Sequence, residues 1–389
     1  MPVEISPQDQ DTIDGRVELR NWSQLIKEGR EHLLFDHLAD AEQSFVAAFA
    51  ISQSFRTRDV RRAASRGNLR RLAQKYRDAG NDSSAARVLE IVAAETDGLR
   101  EAESPGLADM MLELGDLQQS SRSLEKAAAS YERALALREE RNGTSSATLI
   151  VPYQKLSGLE IKLEKYDAAL EHALASLDLA RTHASPNTPE MINAELQAAM
   201  AYQFAGQMID AEGLFLRALE AQREIETDSS TEAVALNGLA FLYLEMGRYP
   251  EGIEHVDVAL GILDHIGQDG IGRAMVLDTK AQLLAADGNA QSADALFDEV
   301  MSQASNGSDE DQRSLFESYE NFLRDQNRTR EASEIRRKID LIDGVTGTDA
   351  ADAPGAPEAM PTDLTDDIDT ELSDEPDLSS TGPRATWDQ

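Results

Sequence analysis

AAMAYQFAGQMIDAEGLFLRAL, residues 198–219, reads as two helices joined by a tight turn. Apolar residues recur at helical spacing as far as Phe204. Gly206 follows, where a helix terminus calls for a left-handed residue. Ala211, Phe215 and Ala218 then fall at i, i+4 and i+7, on one face of a second helix. The alanines let the two helices approach, and Phe215 fills the space left between them.

The same pattern returns along the chain. Residues 239–260, LAFLYLEMGRYPEGIEHVDVAL, place Tyr243, Gly247, Tyr249 and Ala259 at matching offsets. Residues 114–135 offer Leu114, Gly115, Ala127, Tyr131 and Ala134. Residues 72–92 offer Leu72, Tyr76, Gly80, Ala85 and Leu89, and residues 281–300 offer Ala281, Leu284, Gly288, Ala293 and Phe297. A first unit carries Gly29, Ala41, Phe45 and Ala48. The small residue of the second helix falls at 41, 85, 127, 169, 211, 252, 293 and 332, a period of about 42 residues. Units that pack only on their neighbours make a solenoid, so the expected fold is all-α, with about eight helix pairs over residues 21–343. Residues 1–20 are left as a short N-terminal arm.

These residues resemble the tetratricopeptide repeat, whose signature is a Leu-Gly or Leu-Ala pair and an aromatic in helix A, a turn glycine, then Ala, aromatic and Ala in helix B. The period is longer than the usual 34 residues and resembles the kinesin-light-chain type, most closely at LNGLAFLYLEMGRYPEG. Three units depart from the pattern. The fourth has Glu164 at the turn and Ala173 and Ser176 in helix B; the sixth has Gly252 for Ala; the eighth has Asn327 at the turn and Arg336 for the aromatic. The polar final helix, EASEIRRKIDLI, fits a solvating cap. Pro105, Pro186 and Pro189 are read as lying in connectors, and NGTSS, ASPNTP, TDSST and GQDG as turn- and cap-rich loops.

The resemblance implies a protein–protein interaction scaffold or adaptor, which binds a peptide or partner protein along the inward face of the A helices. Counting helix-A positions 2, 5, 9 and 12 back from the small residue assigns to that groove Gly67, Arg70, Gln74 and Arg77 in the second unit and Asn193, Leu196, Met200 and Gln203 in the fifth. It assigns Val234, Asn237, Phe241 and Leu244 in the sixth, and Met275, Asp278, Gln282 and Ala285 in the seventh. The middle is apolar, with Met200 and Phe241 as anchors and Gln203 and Asn237 as amides able to bond a peptide backbone. The opposing expectation is that these residues are buried against facing repeats.

Charge distinguishes the two ends. The chain has a net charge of −35, yet residues 56–77 hold nine bases and the single acid Asp59. Arg62, Arg66, Arg70 and Arg77 lie near one helix face. Either acids on neighbouring helices such as Glu28, Glu31 and Asp109 neutralise them, or an acidic partner or the chain's own tail docks there. That tail, residues 344–389, has twelve acids against Arg384 and few apolar residues, so it is expected to be disordered. Leu364, Ile368 and Leu372 are spaced for an amphipathic helix formed on binding, and Trp387 beside acids resembles cargo motifs read by kinesin light chains. Intramolecular docking of these four residues would mask the groove.

Little else carries chemistry. Cysteine is absent, which excludes disulfides and thiolate metal sites. His32 and His37 are five apart and His255 and His265 ten apart, spacings read as pointing to different helix faces or heights, so no metal site is expected. Phosphate loops, nucleophile elbows and HExxH are missing, so no enzyme and no cofactor are expected. The start, MPVEISPQDQ, lacks a signal pattern and no apolar run is long enough for a bilayer, which points to a cytoplasmic protein without membrane contact. Net charge makes nucleic acid an improbable partner, although the Arg56–Arg77 segment keeps it as an alternative beside a self-associating structural array. An acid-rich, Lys-poor surface also suits a salty cytoplasm.

Overall fold

The computed structural model describes residues 13–343 except 57–58, 97–105, 226–228 and 305–306. Sixteen α-helices are described, in eight antiparallel pairs: α1 (Ile13–Leu34) with α2 (Leu38–Ser52), α3 (Val60–Asp78) with α4 (Asp82–Glu95), α5 (Leu107–Ser120) with α6 (Leu124–Asn142), and α7 (Ile150–Lys162) with α8 (Tyr166–His183). They continue with α9 (Pro189–Phe204) and α10 (Met208–Ile225), α11 (Ser230–Glu245) and α12 (Tyr249–Ile266), α13 (Ile271–Ala286) and α14 (Ala290–Ala304), and α15 (Asp309–Asp325) and α16 (Thr329–Ile342). The first helix begins at Ile13, so it takes in part of the stretch read as an arm. Each helix packs on its pair partner and on the next helix in the chain. The tail features, Leu364, Ile368, Leu372 and Trp387, lie outside the described residues.

The eight turns share one geometry. Asp36, Gly80, Arg122, Glu164, Gly206, Gly247, Gly288 and Asn327 all have φ between 55 and 90°. Each stands five residues before its unit's small residue. At every one, the amide of the following residue donates to a carbonyl five residues back, as in Gln207 N to Tyr202 O at 2.8 Å and Lys165 N to Glu160 O at 2.8 Å. This doubly bonded helix end satisfies two terminal carbonyls. It holds Glu164 and Asn327 in the same conformation as the glycines, so these departures are chemical and not geometric.

The small residues do what their spacing requires. Ala41, Ala85, Ala127, Ala169, Ala211 and Ala293 are wholly buried, and Gly252 stands where a Cβ would lie 2.6 Å from Leu283. Twelve residues earlier, on helix A, sit Gly29, Ala73, Gly115, Ser157, Ala199, Ala240 and Ala281. A Cβ on Gly115 would lie 2.4 Å from the Tyr131 ring, and one on Gly29 would lie 2.5 Å from Phe45. Small-against-large packing therefore sets the distance between paired helices.

The last pair replaces this contact with charge. Glu320, 2% exposed, occupies the small position, and Arg336 occupies the aromatic one; they pair at 3.3 Å, with Arg324 adding a second contact to Glu320 at 2.5 Å. A polar outer face suits a terminal unit.

Connectors supply caps. Thr188 accepts from Met191 N, Ser229 from Glu232 N, and Ser308 forms a capping box with Asp311. Pro189 is the first residue of α9, a favoured helical position, and not part of the connector.

The core divides within the fourth pair. One apolar cluster runs from Ile26 to Leu159 and the other from Ala173 to Ile339. Here Ser157 stands opposite a small helix-B residue, Ala173, at the position where the other pairs before the last hold an aromatic, Leu or Val side chain. The Ser157 hydroxyl is buried without a hydrogen-bond partner. Ser157→Ala removes that group and installs the residue most equivalent positions carry. It should stabilise the protein by about 1–2 kcal/mol. A urea midpoint that is unchanged or lowered would contradict this.

Curvature follows from which helices touch their counterparts. α7, α9, α11, α13 and α15 pack successively on one another, whereas the intervening B helices make no comparable contact with the next B helix. The A helices therefore form the inner wall. The rod curves far enough for its end to meet its middle. Arg122, in the turn between α5 and α6, pairs with Asp343 at 2.5 Å, and Lys162 at the end of α7 pairs with Glu310 at 2.5 Å. No residue of α15 or α16 joins the apolar cluster of the first four pairs, so this seam is made of charges.

Candidate functional site: the inner groove

Two recesses lie along the inner wall. The first, about 600 Å³, runs across α7, α9 and α11 and is lined by Val151, Gly158, Asn193, Leu196, Met200 and Val234 together with Lys155 and Lys162. The second, about 560 Å³, runs across α11, α13 and α15 and is lined by Phe241, Leu244, Asp278, Gln282, Ala285 and Phe322, with Phe297 among its apolar surfaces. Met200, Val234 and Met275 remain solvent-facing on the inner helices at 36, 60 and 39% exposure; Val234 and Met275 occupy equivalent positions, and Met200 the one that Phe241 takes in the next unit. Apolar surface kept in a concave wall marks a binding surface more strongly than isolated exposed residues do.

The individual side chains differ in what they leave free. Leu196 is 6% exposed and belongs to the core while contributing to the first recess. Gln203 is buried and its amide donates to Glu245 at 2.5 Å, so this amide is committed within the protein rather than open to a peptide backbone. Burial raises the pKa of Glu245, an effect the Gln203 hydrogen bond partly offsets. Asn237 is half-buried, with its carbonyl oxygen unpartnered. Phe241 is half-buried and walls the second recess.

Asp278 was read as one groove position among many, yet its surroundings set it apart. Its Oδ2 accepts from Gln282 at 2.7 Å, while Oδ1 is buried and unpartnered. Burial pushes its carboxyl up to about 6, partly opposed by Ser318 and Gln282. A charged residue between the apolar or amide residues of neighbouring units is the sequence signal that singles it out.

The arginine-rich segment is used internally. Arg61 is 6% exposed, bonds the Asp59 carboxylate and lies 4.1 Å from the Phe55 ring centre. Arg62 and Arg66 share Glu95 at 3.8 and 3.3 Å, and Arg62 also bonds the Ser52 and Gln53 carbonyls. Arg77 pairs with Glu113 at 2.9 Å, and Arg70 is half-buried against Gly106. The neutralising acids are thus Asp59, Glu95 and Glu113. Asp109 pairs instead with Arg138, and Glu31 with Lys27. Arg62 and Arg66 are packing residues rather than parts of an open basic face.

One histidine expectation is corrected. His37 lies beyond the end of α1, and the tight turn at Asp36 folds it back, so His32, His37 and Asp40 bring ligand atoms within 4.8 Å of one another. Five-residue spacing predicts divergence only along a continuous helix. The trio is at the surface, with His37 and Asp40 exposed.

With this geometry described, residues 190–265 match the family model for the tetratricopeptide repeat. That stretch, two helix pairs of the array, is a tetratricopeptide-repeat segment. The apo form of RapI superposes on the chain with a TM-score of 0.58 at 14% identity, covering 72% of this chain and 98% of RapI. A Rap protein complexed with Competence and Sporulation Factor superposes with a TM-score of 0.52 at 12% identity, covering 85% of this chain and 97% of the other. BtubC (BKLC) from P. vanneervenii gives 0.45 at 19% identity over 74% of this chain and 97% of that one. No curated protein matches the chain. In this repeat array, no described helix is long and apolar enough to cross a membrane.

Proposed function

We propose that this protein is an interaction scaffold that holds an extended segment of a partner protein along the inner wall of its repeats. The observation that carries this reading is that Met200, Val234 and Met275, on three successive A helices, keep apolar side chains facing solvent, the first two lining the first recess. An inner wall serving only as packing would have these side chains covered. Apolar anchors set along successive helices suit an extended peptide. The chemistry of an enzyme is not needed to explain any of these side chains, and the internally paired arginines favour a protein over a nucleic-acid partner.

A double substitution, Met200→Asp with Phe241→Asp, tests the groove. Peptides selected for binding to the wild-type chain should lose at least tenfold in affinity for the variant, each apolar anchor contributing about 1–3 kcal/mol. Circular dichroism should show the helices retained. Unchanged affinity in a folded variant would place binding elsewhere.

A further inference from the structure

The second recess differs chemically from the first. Its lining includes the carboxylates of Asp278, Glu317 and Asp325 and no Lys or Arg, whereas the first is lined by Lys155 and Lys162. Those lysines already have carboxylate partners, Asp116 at 2.8 Å and Glu310 at 2.5 Å. Asp278 does not have a cationic partner. Its Oδ1 and the Ser318 Oγ are both buried and have no partner other than each other. One hydroxyl and one amide leave this buried carboxylate with unused acceptor capacity and no neutralising charge, a costly state that a cationic donor would relieve. The nearby bases are engaged elsewhere: Arg324 and Arg336 at Glu320, Arg313 at Glu317, and Arg328 at Asp294. Phe241, Leu244, Ala285 and Phe322 supply the apolar part of the lining beside these polar groups.

We propose that this recess receives a Lys or Arg side chain of an extended partner peptide, with Asp278 as its counter-ion and the aromatic walls against its aliphatic stem. The inference rests on the groove being a peptide site and deepens it by naming the chemistry of the guest. A long side chain with an apolar stem and a cationic head matches this lining, and its N–H groups bond the remaining lone pairs of the Asp278 carboxylate. A chain of net charge −35 also draws basic segments toward it. The protein's own tail is a poorer occupant, because Arg384 is its only base among twelve acids.

Proton linkage follows from the same geometry. The elements packed on α13 face Asp278 across the recess with Glu317, Asp325 and Ser318 from α15, Phe241 and Leu244 from α11, and Phe297 from α14. α12 supplies no lining residue; its Asp257 pairs with Lys280 at 2.6 Å. A cation entering beside Asp278 favours the ionised form, so binding near pH 6 should release a proton from this carboxyl.

The test is a selection from a random phage-displayed dodecapeptide library against the full chain, Asp278→Asn and the Met200→Asp/Phe241→Asp variant. The expected result is peptides with Lys or Arg at one fixed position from the full chain, and loss of that preference with Asp278→Asn. A synthetic copy of one selected peptide should bind Asp278→Asn at least tenfold more weakly. Its titration at pH 6 in buffers of different ionisation enthalpy should show proton release with the wild type only. Apolar peptides without a fixed base, lost on the groove variant, would overturn this inference and leave the groove reading intact. Peptides that bind the groove variant equally, or no enrichment at all, would overturn both. Tighter peptide binding on Arg384→Ala would place the chain's own tail in the recess and overturn the choice of an external partner.

Discussion

Replacing Phe297 by Ala is expected to cost about 3–5 kcal/mol, in the range found for removing a buried aromatic side chain. Phe297 is wholly buried and packs on two rings of the next pair, Tyr319 at 5.0 Å and Phe322 at 4.9 Å between ring centres. It joins the seventh pair to the eighth. An array's stability is close to a sum of unit and neighbour terms, so the loss falls mainly on this interface. The loss should therefore be local first: α15 and α16 should lose amide protection before the rest. Hydrogen exchange with urea unfolding reads both effects. A midpoint change corresponding to less than about 1 kcal/mol would mean the rings relax to fill the space.

Asp278→Asn should have the next largest effect on stability, in the opposite direction. The carboxyl is raised by burial to about 6, against an ordinary aspartate value of 3.8. A group whose folded pKa lies above its unfolded value contributes its stability at pH below about 4, and that contribution is lost as pH rises through 6. Asn accepts the Gln282 bond without ever ionising. The variant and wild type should therefore differ least near pH 4, and the variant should become the more stable as pH rises, by at most about 3 kcal/mol at pH 7–8. Denaturant midpoints at several pH values measure this. A difference that does not change with pH would show that the carboxyl is not perturbed by burial. A residue that weakens the fold at neutral pH yet is needed to hold a basic guest is a trade of stability for binding.

The repeat was legible because each unit restates it. The small residues, the glycines against Phe45 and Tyr131, and the turn spacing all follow from one pattern. The turns at Asp36 and Arg122 were less legible, since their side chains give no hint of a left-handed residue; two backbone hydrogen bonds hold the geometry there. The groove was legible only as a set of positions. Counting from the small residue reached Met200, Phe241 and Asp278 but not the state of each side chain. Gln203 is occupied by Glu245, 42 residues later, a contact between neighbouring units that spacing within one unit does not reveal. Acids on neighbouring helices do pair with arginines of α3, but spacing does not single out which: Glu95 and Glu113 face them from later helices, in place of Glu28, Glu31 and Asp109.

The meeting of Arg122 with Asp343 and of Lys162 with Glu310 makes the array a clasped bracelet rather than an open spring. Apolar neighbour contacts keep each link stiff, while the fastener is made of partly solvated ions whose attraction weakens within about 8–10 Å in physiological salt. Opening the fastener costs far less than bending any link. Dissolved salt should therefore govern how wide the bracelet breathes, and with it how readily a long guest can be laid in sideways instead of threaded from one end.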